Sequence, residues 1–158
     1  MHAKTEAKTK PWSGVRKTDP QTILFGGKLN LEPTLEPIHL TLPVPPSVNA
    51  LFKNVNKIGR AKTAAYRAWI AEATLNLRLQ ARTRIEGQYM IDFLMPWPSR
   101  ADLLNLDKAI PDLLQAEGVI TNDSLCDGGT IYWSNDINAA HVTVTPSNFD
   151  RKKKGKGK

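Results

Sequence analysis

The sequence predicts an α/β fold: a single domain with a small mixed sheet packed by two helices, in the order β-α-β-α-β-β. Three observations predict it. The chain has 158 residues with 41% hydrophobic composition, which is enough for one globular core. Short segments of alternating polarity are separated by two helix-length segments with apolar residues every three or four positions. No internal repeat divides the chain, so one domain is expected.

The first elements follow an extension that is rich in Thr, Pro, Lys and Gly and contains only a short strand signal near Thr22–Phe25. IHLTLPV (38–44) alternates apolar and polar residues, which is a strand signal. The prolines of the following PPSVNALF end regular pairing. Residues 51–62 are basic, contain one glycine and do not alternate, so we expect a loop. This loop is either a solvated surface or a surface that faces nucleic acid.

The next two elements are a long helix and a strand. The helix runs from Thr63, a suitable N-cap, to about Ala81. Its apolar stripe has helical spacing and is expected to face the core: Tyr66, Trp69, Ile70, Ala73 and Leu77. EGQYMIDFLM (86–95) is predicted to be the second strand, and PWPSR ends it in a turn.

A second helix is predicted over residues 103–117, closed by Gly118 in the C′ position. One side of it is apolar and faces the core, while the other side carries Asn105, Lys108, Asp112 and Gln115. Pro111 predicts a kink, because a proline inside a helix clashes with the carbonyl four residues earlier. Two strands near residues 129–134 and 140–145 complete the domain.

Composition limits the kinds of protein that this chain can be. No apolar run approaches the roughly 18 residues of a membrane span, and the first residues lack the apolar segment of a secretory signal. A lone Cys126 excludes an internal disulfide and an all-cysteine zinc site. We therefore expect a cytoplasmic protein with no membrane partner.

The net charge of +7 is distributed unevenly along the chain. RKKKGKGK (151–158) carries six basic residues and no acid, while the body of the chain is close to neutral. We predict a flexible N-terminal extension (1–37), a folded domain (38–148) and a disordered basic tail (149–158). The tail would attract a polyanion in a salt-dependent way, or it is only a solubilising addition.

Residues 100–123 carry the most informative chemistry. Aspartates at 102, 107, 112 and 123 bracket Lys108. Carboxylates near a lysine are typical of phosphodiester cleavage with Mg²⁺, a hard cation that binds oxygen, or with Mn²⁺. Structural alternatives stay open, because Asp102 suits an N-cap and Lys108 suits an i,i+4 ion pair with Asp112. Leu104 lies on the polar side of the predicted helix and Asp107 at the border of the apolar side, and such irregularities favour a functional site.

Several motifs in this order resemble the RusA family of Holliday junction resolvases. They are LPVPPSVN (42–49), AYRAWI (65–70), R-x-D-L-x-N-L-x-K (100–108), D-L-L-x-A-x-G-V-I (112–120) and N-D-S (122–124). The resemblance covers about residues 38–145. It implies a small homodimeric endonuclease, of phage or prophage origin, that acts on four-way DNA in recombination and repair.

The resemblance assigns roles residue by residue. Asp102 matches the first catalytic aspartate, Asn105 the motif asparagine and Lys108 the catalytic lysine. Asp123 matches a later metal-binding aspartate, and Asp127 a position that is often acidic. Leu104 stands where the family has its second catalytic aspartate. A kink at Pro111 would turn Asp107 toward the site and let it replace this missing metal ligand.

These observations favour a crossover junction endodeoxyribonuclease that uses Mg²⁺ and makes paired symmetric nicks. Two alternatives remain: a family member that binds branched DNA without cleaving it, and a basic-tailed nucleic-acid-binding domain unrelated to recombination. Basic residues must attract DNA past the acidic site. The candidates outside the tail are Lys53, Lys57, Arg60, Lys62 and Arg100.

Overall fold

The computed structural model describes residues 27, 29–57 and 59–151. The predicted strand near Thr22–Phe25, most of the predicted N-terminal extension and residues 152–158 of the predicted tail lie outside the described residues. Within the described ranges, none of the helices has the length and apolar character needed to cross a membrane.

The described chain contains strands, three α-helices and two short 3₁₀ helices, in an order that contains the predicted β-α-β-α-β-β series. They are β1 (Glu32–Pro33), β2 (Ile38–Leu42), α1 (Val48–Leu51), β3 (Phe52–Val55), β4 (Gly59–Lys62), α2 (Ala64–Gln80), β5 (Thr83–Arg84), β6 (Tyr89–Pro96), η1 (Leu103–Asn105), α3 (Ala109–Glu117), η2 (Asp123–Leu125), β7 (Cys126–Gly128), β8 (Ile131–Ser134) and β9 (Ala140–Pro146).

A five-stranded mixed sheet forms the centre of the domain, which confirms the predicted α/β architecture. β9 lies between β2 and β6 and is antiparallel to both, while β7 and β8 pair one after the other with the far side of β6, parallel to it. Alternate residues of β2, β6 and β9 are buried, so one face of the sheet forms the core. The link between β7 and β8 requires Gly129, because a Cβ there would lie 1.7 Å from the Ile91 carbonyl oxygen.

Helix α2 packs against this sheet as its apolar stripe predicts. The Thr63 side chain accepts a hydrogen bond from the Tyr66 N–H, which confirms the N-cap. Tyr66, Trp69, Ala73 and Leu77 are buried, and Ile70 packs against the same core. At the other end, the Gln80 amide donates to the Thr41 carbonyl and accepts from the Thr41 N–H, both at 2.7 Å, so it occupies part of the free edge of β2.

The predicted loop over residues 51–62 is wrong. Residues 52–55 and 59–62 pair as an antiparallel hairpin, with Phe52 opposite Lys62 and Asn54 opposite Arg60. Most of its residues are exposed, so the segment has no apolar–polar alternation from which a strand could be recognised. Positive φ angles at Lys57 (64°) and Gly59 (85°) form the turn. We call this element the basic hairpin (residues 52–57 and 59–62).

The single helix predicted over residues 103–117 is also wrong. The chain forms the one-turn η1, bends at residues 106–108, and then begins α3 at Ala109. Pro111 therefore lies in the first turn of α3, where a missing N–H is tolerated, and it does not produce the predicted kink. Gly118 ends α3 with a φ of 82°, as predicted.

The folded body extends beyond the predicted domain limits at both ends. Leu31 belongs to the core, and β1 pairs with β5, so the boundary placed at residue 38 falls inside the fold. At the other end, Arg151 forms an ion pair with Asp127, so residue 151 is also held by the domain. Arg78 bridges α2 and α3 through a largely buried ion pair with Glu117 at 2.7 Å.

Candidate active site

The polar face of α3 carries three side chains that meet at one point of the surface. Lys108, Asp112 and Gln115 follow one another at i, i+4 and i+7, so they share one side of the helix. The Lys108 ammonium donates to Asp112 Oδ1 at 2.8 Å. This confirms the predicted ion pair, which at the surface of an isolated helix contributes only a few tenths of a kcal/mol.

Asp123 joins this group from the next turn of the chain. Lys108 Nζ also donates to Asp123 Oδ2 at 3.4 Å, which places the ammonium between two carboxylates. The Asp123 N–H donates to Gln115 Oε1 at 2.8 Å, and the Tyr89 hydroxyl donates to the Asp123 carbonyl at 3.3 Å. We refer to Lys108, Asp112 and Asp123 as the charged cluster. Its carboxylates lie on α3 and on the turn that follows it.

The electrostatics of the charged cluster keep the lysine protonated. The hydrogen bond to Asp112 is the largest cause that raises the pKa of Lys108 above its ordinary value, and Asp123 adds to it. Tyr66 of α2 lies close enough to sense both residues: burial raises its pKa, Asp112 raises it further, and Lys108 opposes the rise. Burial also raises the pKa of Tyr89 to about 12, so its hydroxyl remains a hydrogen-bond donor at any physiological pH.

Asp102 lies at the start of η1 and is exposed. Its carboxylate accepts one hydrogen bond from the Asn105 amide, at 3.3 Å, and its carbonyl accepts from the Asn105 N–H at 3.0 Å. Asp102 occupies the N-cap position of η1, but its side chain forms no capping hydrogen bond with the backbone of the turn. Asp102 and Asn105 therefore come together, but neither of them bonds to the charged cluster.

Leu104 and Asp107 line a shallow groove of about 280 Å³ beside β6 and β8. The other lining residues are Ile91, Phe93, Gly129, Thr130 and Ile131. Leu104 is 72% exposed, an unusual position for a large apolar side chain. Asp107 is exposed in the bend between η1 and α3, and it reaches this groove without the predicted kink.

The basic hairpin packs against Tyr66, the residue of α2 whose pKa is influenced by Asp112 and Lys108. Arg60 lies over the Phe52 ring at 4.6 Å, and Lys62 lies over the Tyr66 ring at 5.5 Å. Phe52 meets Tyr66 edge to face at 5.7 Å. Arg60 and Lys62 therefore share the face of the hairpin that points toward the site, whereas Lys53 lies on the opposite face.

The remaining two predicted DNA-binding residues are both exposed. Lys57 lies in the turn of the basic hairpin, and Arg100 lies in the segment that connects β6 to Asp102.

Several residues that support the site were not assigned that role from the sequence. Gln115 and Tyr89 hold the backbone of Asp123, and Arg151 contacts the same turn from the C-terminus. Asp127, which the resemblance marked as a position that is often acidic, is the ion-pair partner of Arg151 at 2.6 Å. The i+7 spacing of Gln115 from Lys108 was the only local signal among these; the other contacts join distant parts of the chain.

The donor chemistry of the site fits a hard divalent cation, although the protein supplies few ligands. The described residues contain no group of three or more His, Cys, Asp or Glu side chains arranged to hold a metal ion. Carboxylate oxygens are nevertheless the ligands that Mg²⁺ prefers, and Mg²⁺ commonly binds one or two of them together with waters and substrate phosphates. Asp102 and Asp123 are the residues that the resemblance assigns to such a cation.

A known protein family matches the region of the chain that contains the candidate site. The sequence model described as endodeoxyribonuclease RusA matches residues 43–145, roughly two thirds of the chain. The match includes the basic hairpin, η1, the charged cluster and the groove beside Leu104. No curated protein matches the chain.

Proposed function

The chain belongs to the RusA family of endodeoxyribonucleases, and from this premise we propose that it resolves four-way DNA junctions by paired nicks in the presence of Mg²⁺ or Mn²⁺. One observation carries the proposal: the Lys108 ammonium lies between Asp112 and Asp123, beside a hairpin that presents Arg60 and Lys62. Cationic groups for the phosphate backbone and carboxylates for a cation are thus adjacent, as phosphodiester hydrolysis requires.

Within this proposal, Asp102 and Asp123 hold the cation and Asn105 orients Asp102. A bound divalent cation polarises the phosphodiester and lowers the pKa of a water. Asp107 is a further ligand candidate, because it lies in the groove where the resemblance places an acid at position 104. If one or two protein carboxylates bind the cation, its other ligands would be waters and DNA phosphate oxygens.

Lys108 acts as a fixed positive charge in this proposal. A general acid is most effective when its pKa lies near the working pH, whereas Asp112 raises the pKa of Lys108 further above its ordinary value. The ammonium therefore suits the stabilisation of negative charge on the phosphate oxygens better than proton transfer to the leaving oxygen.

The symmetry of the proposed substrate favours a homodimeric assembly. A four-way junction has local two-fold symmetry, so two symmetric cuts are made most directly by a homodimer with one site per subunit. Arg60, Lys62, Lys57 and Arg100 contact phosphates in this arrangement and read the shape of the junction more than its sequence. Lys53, on the other face of the hairpin, contacts a neighbouring arm or none.

Leu104 favours a second candidate function, junction binding without cleavage. An alkyl side chain cannot ligate a cation, and Leu104 is exposed where the family motif has its second catalytic aspartate. The retained Asp102, Lys108 and Asp123 favour the nuclease.

The decisive experiment is cleavage of a labelled synthetic four-way junction with Mg²⁺, Mn²⁺ or EDTA. We expect metal-dependent nicks at symmetric positions, no cleavage of linear duplex, and loss of cleavage in Asp123→Asn. The matched control is Asp136→Asn, because Asp136 is an exposed acid in the turn between β8 and β9 that forms no hydrogen bond or ion pair with the charged cluster or with Asp102. The mass of the protein in solution, measured by light scattering, tests the homodimer.

Tight junction binding with no cleavage in either metal would contradict the nuclease and support the binding protein. Binding that does not distinguish the junction from linear duplex would contradict both candidates.

A further inference from the structure

Arg151 connects the C-terminal end of the described chain to the turn that carries Asp123. Its guanidinium donates through Nη1 to the Ser124 carbonyl at 2.9 Å and through Nη2 to the Cys126 carbonyl at 2.8 Å. Its Nε donates to Asp127 Oδ1 at 2.6 Å. One side chain thus binds three acceptors within four consecutive residues, 124–127.

These bonds complete the hydrogen bonding of the turn. The Asn122 carbonyl accepts from the Leu125 N–H, and the Asp123 carbonyl accepts from the Tyr89 hydroxyl. The carbonyls of Ser124 and Cys126 are bound by Arg151. Loss of Arg151 would leave these two carbonyls without that donor, and the turn would keep only its internal hydrogen bonds and those from Gln115 and Tyr89.

The Asp127 carboxylate provides a buried anchor for the guanidinium. The Asp127 side chain is only 5% exposed, whereas that of Arg151 is 40% exposed. Hydrogen bonds from Ser147, Arg151 and Gln88 hold the pKa of Asp127 below its ordinary value, so this carboxylate stays ionised. A planar guanidinium can serve two carbonyls and a carboxylate together, and a lysine ammonium matches this geometry poorly.

We propose that Arg151 is a positioning residue for the Asp123 carboxylate: it fixes the backbone of residues 124–127 and thereby keeps Asp123 beside Lys108. The proposal rests on the proposed function, since Asp123 is assigned there to cation binding. The proposal gives Arg151 a different role from the lysines that follow it, although all of them belong to one basic run in the sequence. Arg151 acts on the rate of the reaction, whereas lysine charges act on DNA affinity.

The test compares full-length Arg151→Ala with wild type by two measurements. Single-turnover cleavage of the four-way junction should slow by about 10-fold or more, the usual cost of losing a residue that orients a metal ligand, with junction Kd changed less than about 2-fold. Hydrogen exchange at the amides of residues 123–126, measured in the protein alone, should accelerate because the turn opens more often.

Arg82→Ala is the matched control. Arg82 also binds backbone carbonyls, those of Arg78, Leu79 and Ala81 at the end of α2, but it has no contact with the Asp123 turn. Its loss should accelerate exchange near residues 78–84 and leave both the cleavage rate and exchange at 123–126 unchanged. Arg151→Lys, which keeps the charge, should fall between wild type and Arg151→Ala.

Exchange at residues 123–126 that is the same in Arg151→Ala and Arg82→Ala would overturn the proposal, as would an unchanged cleavage rate. If Arg151→Ala fails to fold, Arg151→Lys takes its place, and wild-type exchange and rate in that variant would overturn the proposal. If the wild type cleaves no junction, the proposed function fails, and the exchange comparison still decides whether Arg151 holds the turn.

Discussion

Asp102 and Asp123 reach the candidate site on two short 3₁₀ turns, and these turns are held in different ways. The turn of Asp123 is bound by Gln115, Tyr89 and Arg151 from three separate elements, and its carboxylate accepts from Lys108. The turn of Asp102 packs on the core through Leu103, but Asp102 itself is exposed, and among the described residues its carboxylate accepts only from Asn105, three residues away. The Asp123 carboxylate and its turn are therefore held by side chains from distant elements, while the Asp102 carboxylate has only a local hydrogen bond.

This difference bears on Leu104, the residue that departs from the family motif. Leu104 belongs to the Asp102 turn, so the position where the resemblance places a second acid lies in the half of the candidate site whose carboxylate has only a local hydrogen bond. The charged cluster is complete without it. The comparison predicts that substitutions in the Asp123 half reduce activity sharply, whereas changes at position 104 adjust a site that is already partly assembled.

The largest effect is expected from Lys108→Met. This change removes the charge between Asp112 and Asp123 and should lower the single-turnover cleavage rate by on the order of 100-fold or more, as the loss of one stabilising donor does. Junction Kd should change little, because the basic hairpin remains. Fluorescence anisotropy for binding and quenched-flow cleavage for rate provide the two measurements.

Lys108→Arg is the control for charge and should retain part of the activity. Because the hydrogen bond to Asp112 raises the pKa of Lys108 above its ordinary value, the wild-type ammonium stays charged throughout the neutral and mildly alkaline range, and the wild-type rate should show no loss from lysine deprotonation between pH 7 and 9. A Lys108→Met rate within about 3-fold of wild type would refute the role assigned to the charged cluster.

Leu104→Asp is expected to strengthen the binding of the metal ion that supports cleavage. The side chain is 72% exposed, so the free energy of unfolding should change by less than about 0.5 kcal/mol. The new carboxylate enters the groove that Asp107 lines. The Mg²⁺ concentration for half-maximal cleavage should fall by about 10-fold, a typical effect of improving a metal site. Leu104→Asn is the matched variant without the charge and should not reproduce the gain.

Asp107→Asn tests whether Asp107 already replaces the acid that is missing at position 104. If Asp107 supplies the carboxylate that position 104 lacks, Asp107→Asn should raise the Mg²⁺ concentration for half-maximal cleavage by about 10-fold but spare junction binding, and Leu104→Asp should reverse this rise. Unaffected cleavage in Asp107→Asn would show that Asp107 has no part in metal binding.

The smallest effect is expected from the lysines that follow Arg151. Replacing Lys152, Lys153, Lys154, Lys156 and Lys158 with serine, with Arg151 retained, should leave the cleavage rate of the bound junction unchanged. It should flatten the plot of log affinity against log salt by up to about 0.9 for each DNA phosphate that these lysines neutralise in the wild type. An identical salt slope would show that these lysines do not bind DNA.

Local rules accounted for much of the fold. The stripe from Tyr66 to Leu77, the Thr63 cap and the end of α3 at Gly118 all depend on residues within a few turns of each other, and each was predicted correctly. The basic hairpin was missed because its strands are exposed on most positions and therefore lack the alternation that reveals a strand. The break before α3 was missed because the helical spacing of the apolar residues continues from Leu103 through Leu106 to Ile110.

The sequence by itself determined which residues have the chemistry of the site: the order of its aspartates and the i,i+4 pair of Lys108 and Asp112. Only the tertiary structure decided that Asp123 meets Lys108 and that Arg151 holds the Asp123 turn. It also decided that the basic hairpin lies against Tyr66. Helical periodicity relates residues a few positions apart, whereas these contacts join residues 15 to 27 positions apart or different elements. Their geometry is set by how the helices and strands pack on the sheet.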